Sequence, residues 1–317
     1  MKIIGFAIKK ISATVLTAVL IAMLCFSVMY FSPGNPAAIL LRYKNPTGGM
    51  NQQTVEMYAE KLGINQNFFV QFGGWMSDAF HGNLGYSFKT GLPVFQEFSD
   101  RMSCTFSLMV FATVVSLLVG VLFGILSALY HQKFLDRMIR LFAVVNMSVP
   151  NFWMGILFLW LFAIKLNLLP SFGFNGPASI ILPGTVLGFG HSATIIRISK
   201  SCILENMSRC YVTTARAKGL RESAVVIKHV LKNIMLPIIT LCGMNLVSIM
   251  GGSAIIESIF GLPGIGNYLV TAITIKDFPI ILGFSFLMGL MVVVINLLVD
   301  LSYALIDPRV RQGIHER

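Results

Sequence analysis

Charge is scarce in this chain. Asp, Glu, Lys and Arg make up 12% of its 317 residues, and acidic side chains number 13 against 24 basic ones. A soluble domain carries about a quarter charged residues. The deficit, with 56% hydrophobic residues and a mean hydropathy of +0.78, excludes one and points to an integral membrane protein. Cysteine is equally sparse. Cys25, Cys104, Cys202, Cys210 and Cys242 are odd in number and form no CxxC pair. That removes a disulfide framework and a zinc site of the usual spacing, leaving small apolar fillers and no expected metal site. A soluble basic domain with aromatic platforms is also missing, so the net +11 does not read as nucleic-acid contact.

What the chain has is long apolar runs. A spanning helix needs about 20 mostly apolar residues, and six segments qualify: Ile11 to Phe31, Thr105 to Leu129, Leu141 to Lys165, Ile180 to Ile198, Met235 to Ile256 and Ile280 to Ile306. The basic start and apolar run of Lys2 to Phe31 imitate a secretory signal, but the run is too long and no small-x-small site follows it, so a retained first helix is expected.

The excess of positive charge sets the topology, because loops rich in Lys and Arg stay in the cytoplasm. Lys2, Lys9 and Lys10 precede the first span; Lys133, Arg137 and Arg140 join the second to the third; Lys200, Arg209, Arg216, Lys218, Arg221, Lys228 and Lys232 join the fourth to the fifth; Arg309, Arg311 and Arg317 close the chain. All of these segments belong inside, which places both termini in the cytoplasm. The long connection from Ser32 to Cys104 balances five basic with five acidic residues, as an outer loop does. The expected division is therefore 1–31, N-terminus and first span; 32–104, an extracytoplasmic loop of short helices; 105–306, the core, including a cytoplasmic loop at 199–234; and 307–317, a tail. Pro and Gly punctuate the spans at Ser148-Val-Pro150, Leu182-Pro-Gly184, Gly188-Phe-Gly190 and Gly251-Gly252. Such breaks suit either a path lined by the bundle or close helix packing through small residues.

The basic loop is the segment that must touch something outside the bilayer. At 100 degrees per residue, Ala224, Val226, Ile227, Val230, Leu231 and Ile234 share one side of a helix, and Arg221, Glu222, Lys228, His229 and Lys232 the other, with Val225 out of place. Ahead of it, Ala215, Ala217 and Gly219 are small enough for close approach, and Gly219 suits the left-handed position that ends a helix. An anionic lipid surface and a groove in another protein both fit this pattern.

The segment Tyr211-Val-Thr-Thr-Ala-Arg-Ala-Lys-Gly-Leu220 resembles the cytoplasmic EAA loop of ABC-importer permeases, in the version of the oligopeptide, dipeptide and nickel family. Thr213-Thr-Ala215 stands in the Glu-Ala-Ala place, without its acid, Gly219 is the glycine, and Ile234-x-Leu236-Pro237 ends the motif after a longer gap than the general pattern. The likeness runs along most of the chain. Pro33-Gly-Asn-Pro36, Leu62-Gly63, Gln71, Trp75, Gly82-Asn-Leu-Gly85 and Ser87 are similar to the family's outer region; Ser148, Pro150, Phe152 and Gly155 to its third span; Glu257 to Gly266, Ala272, Asp277, Pro279, Asn296, Asp300 and Asp307-Pro-Arg309 to its last third.

That resemblance implies an all-α, six-span permease of the type I importer plan, forming a pathway with a second, related permease in a heterodimer. Two cytoplasmic ATPases would drive it, and an extracytoplasmic binding protein would deliver a di- or oligopeptide. The chain has no GxxxxGK[ST] phosphate loop and no room for a nucleotide domain, so it is expected to be no enzyme and to bind no cofactor, with ATP and Mg held by the partners. Thr214, Ala215, Arg216, Ala217, Lys218, Gly219 and Leu220, with Arg221 and His229 nearby, are the expected docking residues. For the pathway, His191, Asn296 and Asp300 are candidates, each also readable as a packed, hydrogen-bonded side chain. A nickel or metallophore importer of the same family is the runner-up; a proton-coupled secondary transporter, whose paired broken repeats are not visible here, and a receptor follow.

Overall fold

The computed structural model describes residues 2–32, 34–44, 51–61 and 63–306, and for 2–11, 13, 61 and 301–306 the backbone alone. Pro33, Leu62 and Asp307-Pro-Arg309, and the expected tail at 307–317, lie outside the described residues. By contact the described residues form two compact units, those within 1–103 and 267–294, and those within 104–266 and 295–317.

The first unit holds α1 (Lys2–Tyr30), α2 (Pro36–Lys44), α3 (Gln52–Lys61), α4 (Phe68–Phe80) and the start of α5 (Val94–Leu129), then most of α13 (Ile265–Ile275) and the first part of α14 (Phe278–Ile306). Three short helices, α2, α3 and α4, lie between α1 and α5. Asn67 caps α4, its Oδ1 accepting from the Val70 N–H at 3.1 Å, as an N-cap amide does. Aromatic side chains then seat the helix: Phe26 of α1 packs edge-on to Phe68 and Phe72 at 5.5 and 5.6 Å, and Trp75 meets Phe286 of α14 at 5.3 Å. Buried Asp277 fixes the segment before α5. Its carboxylate accepts from Ser87 Oγ at 2.6 Å and from the N–H groups of Phe88 and Lys89 at 3.0 and 3.3 Å.

The second unit continues with α6 (Phe134–Ser148), α7 (Asn151–Phe158) running into a π-helical stretch Leu159–Lys165, α8 (Ala178–Met207), α9 (Cys210–Ala217), α10 (Glu222–Val225), a π-helical turn Val226–Val230, α11 (Leu231–Asn233) and α12 (Met235–Phe260). Among the described residues, four helices are long and apolar enough to cross a membrane: Val94–Leu129, Ala178–Met207, Met235–Phe260 and Phe278–Asp300. The expected third span, Leu141 to Lys165, is not one helix: it takes the last turns of Phe134–Ser148 and the whole of Asn151–Lys165, two helices that meet at 104°. Pro150 pushes the residue before it out of the helical region, and Val149 sits at φ −89°, ψ 124° while Pro150 starts the next helix. The expected first span lies in α1, whose described apolar part is Thr14–Tyr30.

Pro183 does not break α8, which runs through it. The nearby glycines are contact points between α5 and α8. A methyl on Gly188 would stand 2.6 Å from Val115 and 2.9 Å from the Ala112 carbonyl, and one on Gly120 would stand 2.5 Å from Ile195. Gly124 faces Ser199 in the same way. Small residues let two backbones close up where lipid supplies no hydrophobic drive. Gly188→Val is accordingly expected to cost about 1–3 kcal/mol by overpacking, read as a lower midpoint of thermal unfolding in detergent; Gly252→Val, where nothing lies within 4 Å, should leave the midpoint unchanged.

Candidate functional site

The segment between α8 and α12 is held by an apolar core. Val212 and Ala215 of α9, and Val225, Val226, Val230 and Ile234 beyond it, are buried together with Ala128 of α5, Ile203 of α8 and Ile238 of α12. The face read from a uniform helical period needs correction. Val225, expected out of place, is fully buried, while Ile227 is 56% exposed. The cause is the π-helical turn at Val226–Val230, which fits an extra residue into one turn and rotates every later side chain relative to a plain α-helix.

Ala215 also departs from expectation. At 5% exposure it points into the core, so it supports the segment from below. Thr214, Arg216, Ala217, Lys218, Gly219, Leu220, Arg221 and His229 are exposed. Gly219 takes the left-handed conformation at φ 77° and closes α9: its N–H donates to the Arg216 carbonyl at 2.9 Å, and that of Leu220 to Ala215 at 3.4 Å. Across this turn the Arg216 guanidinium forks onto Glu222, Nε to Oε1 at 2.7 Å and Nη2 to Oε2 at 3.2 Å. A planar fork on a carboxylate fixes geometry better than a point charge. The exposed turn Ala217 to Arg221 is thereby presented as one shaped, basic projection.

Beside this core lies a cluster that counting positive charges passed over. Asp136, at the start of α6, is 0% exposed. Its Oδ1 accepts from Ser127 Oγ and from Lys200 Nζ, each at 2.5 Å, and its Oδ2 from the Gln132 N–H at 3.0 Å. Arg140 and His131 stand 3.5 and 3.8 Å from Oδ2. Burial alone would raise the carboxyl's pKa; the bonds from Lys200, Ser127 and Gln132, with the Lys200 charge, outweigh it and hold the group well below the usual carboxylate range. The signal in the sequence was a lone acid among Lys133, Arg137 and Arg140. Ala128 follows Ser127, and Ile203 lies one turn past Lys200, so the cluster adjoins the core under α9 to α11.

The pathway candidates are spread along the second unit. His191 is half-buried on α8; Asn296 and Asp300 stand one turn apart on α14, Asn296 exposed and Asp300 partly buried. Glu257, the first residue of the Glu257 to Gly266 motif, is fully buried near the end of α12. It accepts from Thr105 Oγ1 at 2.8 Å and Ser253 Oγ at 3.1 Å, and Thr105 Oγ1 in turn accepts from the Ile265 N–H at 2.8 Å. That carboxylate organises the turn from α12 to α13.

Comparison with known proteins agrees with this architecture. The family described as "Binding-protein-dependent transport system inner membrane component" matches residues 120–312, and its N-terminal companion matches residues 3–109. A Sinorhizobium fredii protein named as a probable peptide ABC transporter permease is 38% identical over 314 residues, covering 96% of this chain and 99% of that protein. The dipeptide transport system permease protein DppB of Alkalihalophilus pseudofirmus is 31% identical over 336 residues, covering 97% and 99%. In fold, a chain of the MetNI methionine ABC transporter, solved in inward-facing conformations, superposes with a TM-score of 0.57 at 16% identity, over 67% of this chain and 97% of that one. The likeness shows the helical plan of a type I importer permease. Matched along its length by both family models and by near full-length relatives, the chain belongs to the inner-membrane permease components of binding-protein-dependent ABC transport systems.

Proposed function

We propose that this chain is one of two related permease subunits of an ATP-driven importer of di- or oligopeptides delivered by an extracytoplasmic binding protein. Two cytoplasmic ATPases hold ATP and Mg and supply the energy. The observation that carries the coupling role is the preformed turn Ala217 to Arg221, projecting from a buried core and braced by Arg216 and Glu222. The names of the relatives favour peptides over nickel.

Both termini are cytoplasmic in this reading, with 32–104 outside, 105–306 the membrane core and 199–234 the coupling loop. Thr214, Arg216, Ala217, Lys218, Gly219, Leu220, Arg221 and His229 face the ATPase while Ala215 buttresses them. Closure of the ATPase pair then moves the spans as rigid bodies. His191, Asn296 and Asp300 border the pathway.

The test is uptake of tri-alanine by proteoliposomes holding this chain with its partner permease, ATPases and binding protein. Uptake is expected to require ATP inside and to stop with vanadate. Uptake that follows a proton gradient without ATP, or nickel in place of the peptide, overturns the reading.

A further inference from the structure

The first unit contains a cleft of about 700 Å³ between α2 and the end of α13. Arg42 on α2 and Lys276 just past α13 both line it, with Asn35, Tyr43 and Thr274, and among the described residues no acidic one does. Among the described residues neither cation has a carboxylate partner: Asp277, next in sequence to Lys276, turns its carboxylate to Ser87 and to the N–H groups of Phe88 and Lys89. The walls are tied together, because Tyr43 Oη donates to the Ile275 carbonyl at 3.2 Å.

Lys276 is held in an unusual way. Its φ is 58°, the left-handed conformation that ends α13, with its N–H on Ile273 at 3.2 Å and that of Asp277 on Ala272 at 2.9 Å. Glycine is the usual residue at such a position, and a side chain there costs about 1–2 kcal/mol. A cation does favour a helix C-terminus, but lysine at the last α-helical residues would supply that without strain. Strain retained at a lysine that lines the same ligand-sized cleft as Arg42 is a pointer to function.

We propose that Arg42 and Lys276 form an anion site that receives the C-terminal carboxylate of a peptide as it enters. This rests on the peptide reading and on the outer placement of residues 32–104. An arginine fork and an ammonium lining one cleft suit a carboxylate.

The experiment measures binding of tri-alanine and of its C-terminal amide to the full chain in nanodiscs of phosphatidylcholine. The free acid is expected to bind about 10- to 100-fold more tightly, the value of a hydrogen-bonded charge. That preference should vanish in Arg42→Gln and in Lys276→Gly. The glycine variant keeps the left-handed turn and relieves its strain, so its loss of preference cannot come from misfolding. Equal binding of acid and amide by the wild type, or a preference that survives both variants, overturns the proposal. Loss of co-purifying phosphatidylglycerol in the variants, with peptide preference intact, would make the cleft a lipid-phosphate site and overturn it too. ATP-driven uptake of tri-alanine by the whole transporter separates the two levels: uptake with no role for Arg42 and Lys276 sinks this site alone, whereas absence of any peptide uptake removes the reading beneath it.

Discussion

Asp136→Asn is expected to lower the unfolding free energy by about 3–5 kcal/mol, the cost of breaking a buried ion pair from one side. The amide matches the carboxylate in size, so the cost is electrostatic. Lys200, 15% exposed, would keep its charge with no counter-charge, and Ser127 Oγ and the Gln132 N–H would compete for a weaker acceptor. Removing both charges should be far milder, since a neutral pair leaves nothing buried and unpaired. Asp136→Asn with Lys200→Gln is therefore expected to recover more than half of the loss. Thermal unfolding in detergent at neutral pH reads both. A double variant no better than the single one would mean that the carboxylate's hydrogen bonds, and not the pair, hold these helices. The pH dependence has a definite sign. A carboxyl whose folded pKa is depressed stabilises fully above its unfolded value, about 3.9, and this contribution drains away as pH falls towards the folded value. The wild type should lose stability more steeply than Asp136→Asn below about pH 4, and the two should run parallel at neutral pH.

The parts of this fold that could be read beforehand are those set by composition and by hard backbone rules. Long apolar runs marked the membrane helices Val94–Leu129, Ala178–Met207, Met235–Phe260 and Phe278–Asp300. Val149-Pro150 was legible as a break, because proline restricts its predecessor regardless of context; its angle of 104° was not. Angle depends on what α6 and α7 rest against, and sequence spacing carries no such information. The π-helical turn at Val226–Val230 was hidden for a related reason. A fixed period of 100 degrees assumes the helix it sets out to find, and the misfit of Val225 was the trace of the extra residue. Asp136 went unseen because topology needs only a sum of charges, whereas its role comes from Lys200, distant in sequence and brought to 2.5 Å by the packing of α6 on α8. Motif likeness had the reverse strength: it selected Gly219, Ser87, Glu257 and Asp277 without saying what they touch. Ser87 and Asp277 bond to one another, and Glu257 gathers Thr105 and Ser253.

If the turn couples transport as proposed, Gly219→Val is expected to leave the protein in the membrane at normal level and to reduce ATP-driven uptake by at least about tenfold, the effect of misplacing the proposed docking element by about an ångström or more. Crowding is not the cause, since nothing lies within 4 Å of where a Cβ would stand. The backbone is: at φ 77° a side chain costs about 1–2 kcal/mol, and a β-branched one is the least tolerant. To escape, the turn must unwind, which loses the Gly219 and Leu220 N–H bonds and pulls Arg216 from Glu222. Lys218, Leu220 and Arg221 would then aim elsewhere. The core beneath should stay packed, because Val212, Ala215, Val225 and Val226 are buried in it and none of them belongs to the turn Ala217 to Arg221, so folding and insertion should survive. Gly219→Asn separates the conformation from the bare loss of glycine, as asparagine enters the left-handed region at little cost. It is expected to retain more than half of the uptake, with ATPase subunits co-purifying as in the wild type. Normal uptake by the valine variant would show that the shape of the turn does not transmit energy. Equal loss in both variants would point to contact with the glycine backbone itself, where any Cβ intrudes on the partner.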